Sequence, residues 1–172
     1  VRAAVAPGVT LLDLDAVAER EIRSRGAVPS FLHYLPGVGY VRPGPGRNSF
    51  PATICASVND EIVHGIPSER RLVEGDIISV DCGAILDGWH GDAAVTLPVG
   101  PVSDEAARLL EVCEDALWAG IAALQAGHRL RDVGGAVEDH VRGRGDYGIV
   151  AEYGGHGIGT EMHQDPHVLN YR

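Results

Sequence analysis

Two apolar, β-branched stretches, 76–86 (DIISVDCGAIL) and 89–97 (WHGDAAVTL), are separated only by Asp87-Gly88. Asp-Gly between such runs is among the strongest hairpin signals, because the tightest turns need positive φ at both central residues. The dipeptide fixes more than a turn. It sets Leu86 opposite Trp89 and, counting back along both strands, Gly83 opposite Asp92. Side chains alternate with period two, so Asp81 and Asp92 fall on one face as diagonal neighbours, ~7–8 Å apart at Cα. Gly83 has no side chain and leaves a gap between them. A slip of one residue would turn one aspartate outward.

Two carboxylates converging over a gap repel each other unless a positive group joins them, and a divalent cation suits that place. The plainer reading leaves both aspartates solvated on an open sheet face. Against it, Ile77, Ile78, Val80, Cys82, Ala84, Ile85, Ala93, Val95 and Leu97 make both faces largely apolar, and an aspartate there needs a partner. Histidine segments supply further donors: His64 in 64–67 (HGIP), His156 in 154–159 (GGHGIG) and His163 in 162–166 (MHQDP). Glycines flanking His156 permit close backbone approach and unusual dihedrals. Imidazole is the commonest protein ligand of late divalent metals. His90 points to the same face as Asp92 and competes with His156; spacing alone leaves both open.

The periodicity predicts helices over 13–25 (capped by Asp13 or Thr10), 104–125 and 132–142. The apolar stripe of the second is Ala106, Leu110, Cys113, Leu117, Ile121 and Leu124. Residues 8–26 align with 127–145 through Gly8/Gly127, Leu11/Leu130, Asp13/Asp132, Glu19/Glu138, Arg23/Arg142, Arg25/Arg144 and Gly26/Gly145, which suggests two related halves. A second hairpin is expected from 52–58 and 61–64 around Asn59-Asp60, with Cys55 opposite His64. Residues 36–49, rich in Pro and Gly, read as a loop insertion.

At 172 residues, one domain over 1–172 is expected. With 14 Lys+Arg against 24 Asp+Glu and no basic cluster, nucleic acid is a poor partner. No apolar run reaches membrane-spanning length. Three widely spaced cysteines, Cys55, Cys82 and Cys113, read as reduced thiols of a cytoplasmic protein.

Three segments together resemble the type I methionine aminopeptidases: 56–67 (ASVNDEIVHGIP), 75–83 (GDIISVDCG) with 87–92 (DGWHGD), and 153–159 (YGGHGIG) through 163–166 (HQDP) to Leu169-Asn170-Tyr171. The resemblance covers the chain apart from the 36–49 loop. It implies an α+β, pita-bread (creatinase/aminopeptidase-like) fold of two pseudo-symmetric halves, here incomplete at both ends. It implies two divalent metal ions (Fe, Mn, Co or Zn) held by Asp81, Asp92 and His156, with His90 not a ligand. His64 and His163 would contact the substrate and steady the tetrahedral intermediate. Phe50, Cys55 and Met162 would line the pocket for the methionine side chain. The implied activity is removal of the N-terminal methionine of a peptide or nascent protein with a small second residue, by a monomer meeting the ribosome transiently. Two further glutamate ligands of the family follow the stretch that ends at Asn170-Tyr171, so these 172 residues alone are expected to bind metal weakly and hydrolyse little or nothing. The rivals are an Xaa-Pro aminopeptidase-like relative, against which 64–67 argues, and a catalytically dead binding module.

Overall fold

The computed structural model describes residues 1–40 and 49–172. They form two compact units, Val1–Ser103 with Ile158–Met162, and Asp104–Gly157 with His163–Arg172.

The first unit opens with helix α1 (Leu11–Ser24). Thr10 is its N-cap. The Asp13 N–H donates to Thr10 Oγ1, and Asp13 Oδ2 accepts from the Thr10 N–H, both at 3.0 Å. This reciprocal box satisfies two donors that a helix start leaves unpaired. Leu11, Leu14, Ala18 and Ile22 form the buried stripe, and Gly26 at φ +76° ends the helix. Short strands β1 (Val28–Pro29), β2 (Tyr34–Leu35) and β3 (Gly39–Tyr40) follow, then β4 (Ile54–Val58), β5 (Ile77–Leu86) and β6 (Trp89–Pro98).

β6 pairs with the whole of β5 in unbroken antiparallel register, Leu86↔Trp89 through Gly83↔Asp92 to Ile77↔Pro98, as the Asp87-Gly88 turn requires. Asp87 and Gly88 both have positive φ, +52° and +84°. β4 and β1 share the other edge of β5, pairing Cys55↔Asp81 and Val28↔Ile85. The sheet has two unlike faces. Ile54, Ala56, Val58, Ile78, Val80 and Leu97 join Leu11, Leu14 and Ala18 of α1 in the core. The opposite face carries Cys55, Ser57, Ser79, Asp81, Asp92 and Thr96, with Ser79 and Thr96 hydroxyls 2.8 Å apart. The expectation that both faces are largely apolar is therefore corrected: alternation sends most of the apolar residues to the α1 side and leaves Ile77, Ile85 and Ala94 among the polar groups of the opposite face.

The second expected hairpin does not form. Residues 61–64 are not a strand, because β4 finds its partner in β5. The Asn59 side chain instead bonds Asp76 and the Ile77 N–H, and Glu61 accepts from the Val58 N–H, closing a turn. Cys55 accordingly lies opposite Asp81 and not opposite His64. Of the expected 36–49 loop, Gly39–Tyr40 pairs with Tyr34–Leu35; 41–48 lies outside the described residues.

The second unit contains α2 (Asp104–Ala123), α3 (Leu130–Arg144), β7 (Gly155–Gly157) and β8 (Gln164–Val168), the two strands pairing antiparallel. α3 lies close on α2: a Cβ at Gly120 would stand 2.8 Å from Val137 Cγ2. Arg144 ties the pair by ion pairs to Glu111 (2.6 Å) and Asp115 (3.4 Å). The buried residues of α2 are Val112, Ala116 and Gly120, so the expected stripe is corrected. The small residues let α3 approach, whereas Cys113, Leu117, Ile121 and Leu124 stay exposed.

The aligned segments agree in local conformation. Gly8 and Gly127 both have φ +89°, α1 and α3 each begin three residues after them, and Asp132 accepts from the Arg129 N–H as Asp13 does from Thr10. Arg129 has no acceptor to return, so only half of the box is repeated.

Candidate metal centre and substrate pocket

Asp81 and Asp92 share the site face of the β5–β6 ribbon, as the register demands. Asp81 is half-buried and Asp92 is exposed. The Asp81 carboxyl is pushed from 3.8 up to about 7, chiefly by burial, then by the charge of Asp92 and a hydrogen bond to it; the Cys82 N–H opposes the shift. A carboxyl that keeps its proton toward neutral pH beside a second carboxyl is a place where a divalent cation can displace the proton. Oxygen donors with a high combined charge suit hard and borderline ions alike. Among the described residues no group of three or more His, Cys, Asp and Glu is gathered for a metal ion.

The gap expected above Gly83 is filled. A Cβ there would lie 2.6 Å from Phe31 Cε1 and 3.0 Å from Ser30 Cβ, so Gly83 admits the Phe31 ring to the site face. Phe31 forms a buried cluster with Cys55 and Met162, and Tyr34 and Phe50 pack against it. The three expected pocket residues thus meet, together with Phe31 and Tyr34, which sequence reasoning missed. No periodicity marks those two aromatics, since they flank a short turn. The cluster borders the carboxylates: burial drives the Cys55 thiol up to about 12, and Asp81 and Asp92 add to the shift. A neutral thiol, a thioether and aromatic rings suit an unbranched, polarizable apolar guest.

His90 Nδ1 lies 3.1 Å from Ser30 Oγ, and its backbone N–H donates to the Gly159 carbonyl at 2.8 Å. His64 sits in left-handed backbone, φ +59°. In the second unit His156 and His163 come together, ring centroids 4.4 Å apart. His156 Nδ1 is 2.9 Å from the Gly157 carbonyl. A carbonyl only accepts, so Nδ1 carries hydrogen and the lone pair of the neutral ring is on Nε2, the arrangement that metal-binding imidazoles use.

The description "Metallopeptidase family M24" matches residues 1–172. The chain is 51% identical to methionine aminopeptidase 1 of Mycobacterium tuberculosis, over 99% of this chain and 61% of that relative. It is 47% identical to a methionine aminopeptidase of Clostridium acetobutylicum, over 98% of this chain and 62% of the relative. The crystal structure of methionine aminopeptidase from Rickettsia prowazekii superposes with a TM-score of 0.88 at 36% identity, covering 99% of this chain and 63% of that one. The chain thus spans a little over six-tenths of the length of the relatives it matches. Among the described residues no helix is long and apolar enough to cross a membrane.

Proposed function

Since the chain belongs to metallopeptidase family M24 and has its α+β pita-bread fold, we propose that it acts as a methionine aminopeptidase, removing the N-terminal methionine from peptides and nascent proteins whose second residue is small. One observation carries the reading: a pair of neighbouring carboxyls borders a buried cluster of Phe31, Cys55 and Met162. Asp81 and Asp92, with His156 as a further ligand, would hold divalent metal, two ions in the family pattern, of Fe, Mn, Co or Zn. Such ions supply Lewis acidity toward water and toward a carbonyl group.

The chain's own residues supply the rest. The Cys55, Met162 and Phe50 group takes the methionine side chain by apolar contact. His163 donates to the carbonyl oxygen, where negative charge develops, and His64 bonds near the scissile nitrogen. The cytoplasm, where nascent chains emerge, is the compartment this reading requires, and three free cysteines accord with it. The Xaa-Pro reading is less supported, because the relatives above carry the methionine name. Methionine release from Met-Ala and Xaa-Pro peptides, with and without a chelator, tests the proposal on a full chain, one that carries these residues at the whole length of the relatives; the 172 residues alone should release little or nothing. Chelator-sensitive hydrolysis of Met-Ala alone is expected. Cleavage of Xaa-Pro peptides in preference, or none of either by a metal-loaded full chain, would overturn it.

A further inference from the structure

We propose that Ser57 is a positioning residue for His64, acting through the peptide that joins His64 to Gly65; this rests on the reading of His64 as a substrate-contacting residue. Ser57 is buried in β4, on the same sheet face as Cys55 and Asp81. Its Oγ accepts the Gly65 N–H at 3.0 Å, and the neighbouring Ala56 N–H donates to the Gly65 carbonyl at 2.8 Å. Both peptides of Gly65 are therefore anchored to one strand. The approach is so close that a Cβ at Gly65 would overlap the Ala56 carbonyl oxygen.

The residue placed just before this anchor is His64, in the left-handed region at φ +59°. A histidine stays there only where its surroundings over-determine the backbone. The Gly65 N–H belongs to the peptide that carries the His64 carbonyl, so Ser57 Oγ sets the plane from which the imidazole departs. β4 is in turn registered to β5 by five pairs, Cys55↔Asp81 among them. The hydroxyl thus refers His64 to β5, the strand that bears Asp81. Packing alone would accept an alanine at this buried position; the acceptor is what His64 needs.

The test is Ser57→Ala in the full chain, alone and with His64→Ala. A displaced contact group costs turnover more than binding, so kcat should fall roughly tenfold, with KM for a Met-Ala peptide changed less than about twofold. Hydrogen exchange at the Gly65 amide should quicken, thermal unfolding should change little, and Ser57→Thr should restore most of the activity. In the His64→Ala background, Ser57→Ala should add nothing, because both act at one point. Should Ser57→Ala fail to fold, Ser57→Cys, a weak acceptor of similar size, takes its place. Undiminished kcat in Ser57→Ala beside an impaired His64→Ala overturns this proposal alone. An equal loss in both backgrounds makes Ser57 structural and also overturns it. Full activity of His64→Ala removes the reading beneath it as well.

Discussion

The raised carboxyl of Asp81 makes a metal-free protein less stable as pH rises. Its pKa moves from 3.8 to about 7 on folding. Below the first value both states hold the proton, and Asp81 contributes nothing. Between the two values the folded state alone holds it, so stability falls with each pH unit; above about 7 both states are ionised and the whole penalty is present. About three units correspond to ~4 kcal/mol, which solvent screening of this partly exposed carboxyl reduces to about 2 kcal/mol. Asp13 and Asp76, whose carboxyls are held low, act in the opposite sense but only in acid. The mildly acidic to mildly basic window therefore isolates Asp81. Asp81→Asn keeps the shape and removes the titration. In chelator, the variant should unfold roughly 4–8 °C above the wild type at about pH 8, about 2–3 °C above it at about pH 5, where little more than a third of the penalty has accrued, and level with it below about pH 4. Thermal unfolding followed by circular dichroism reads both. Divalent metal should raise the wild type's midpoint at the higher pH and leave the variant's nearly still. Parallel pH profiles for the two proteins in chelator would refute the reasoning, because Asp81 would then be neither buried nor pressed by Asp92 enough to hold its proton.

Other consequences are as direct. Asp92→Asn or His156→Ala should weaken divalent-metal binding by roughly tenfold or more, at least the loss that follows removal of an outer-shell partner, as measured by isothermal titration. Gly83→Ala places a methyl group against Phe31 and should cost about 1–3 kcal/mol of stability in urea unfolding. Cys113 is exposed, whereas Cys55 is buried with its thiol pushed up to about 12; a thiol reagent at mildly basic pH should modify Cys113 quickly and leave Cys55 intact in the folded protein, as peptide mapping would show.

Much of this was legible because a single dipeptide sets ten strand pairs. Asp87-Gly88 dictates register, register dictates which side chains share a face, and Asp81 and Asp92 follow without further information. The helices were legible from periodicity, and Thr10 from its capping chemistry. What was not legible depends on contacts distant in sequence. Asn59-Asp60 has the composition of a hairpin turn, yet β4 pairs with β5, and the Asn59 side chain bonds Asp76. Local propensity cannot rank a nearby partner against a better one further along. The stripe expected on α2 failed for a related reason. Periodicity finds a large apolar face, but Val112, Ala116 and Gly120 are what α3 can approach closely. Phe31 escaped because the space over Gly83 looked like room for an ion, and only the fold shows that a ring enters it.

The two faces of the β5–β6 ribbon are energetically linked, and this is what holds like charges together. A slip of one residue would part Asp81 from Asp92, relieving less than the ~2 kcal/mol borne by Asp81, since burial is the larger share of it. The same slip would carry one strand's core set to the site face, taking Val95 and Leu97, or Ile78 and Val80, from α1. Each buried aliphatic side chain of this kind is worth ~1.5–3 kcal/mol. Two of them already exceed what the carboxylates would gain by separating, before any broken strand pair is counted. The acidic pair is thus kept in place by residues that never touch it. Truncations in the α1-facing core, such as Val80→Ala, should therefore loosen the metal site along with the fold, whereas charge changes on the site face should leave the register intact.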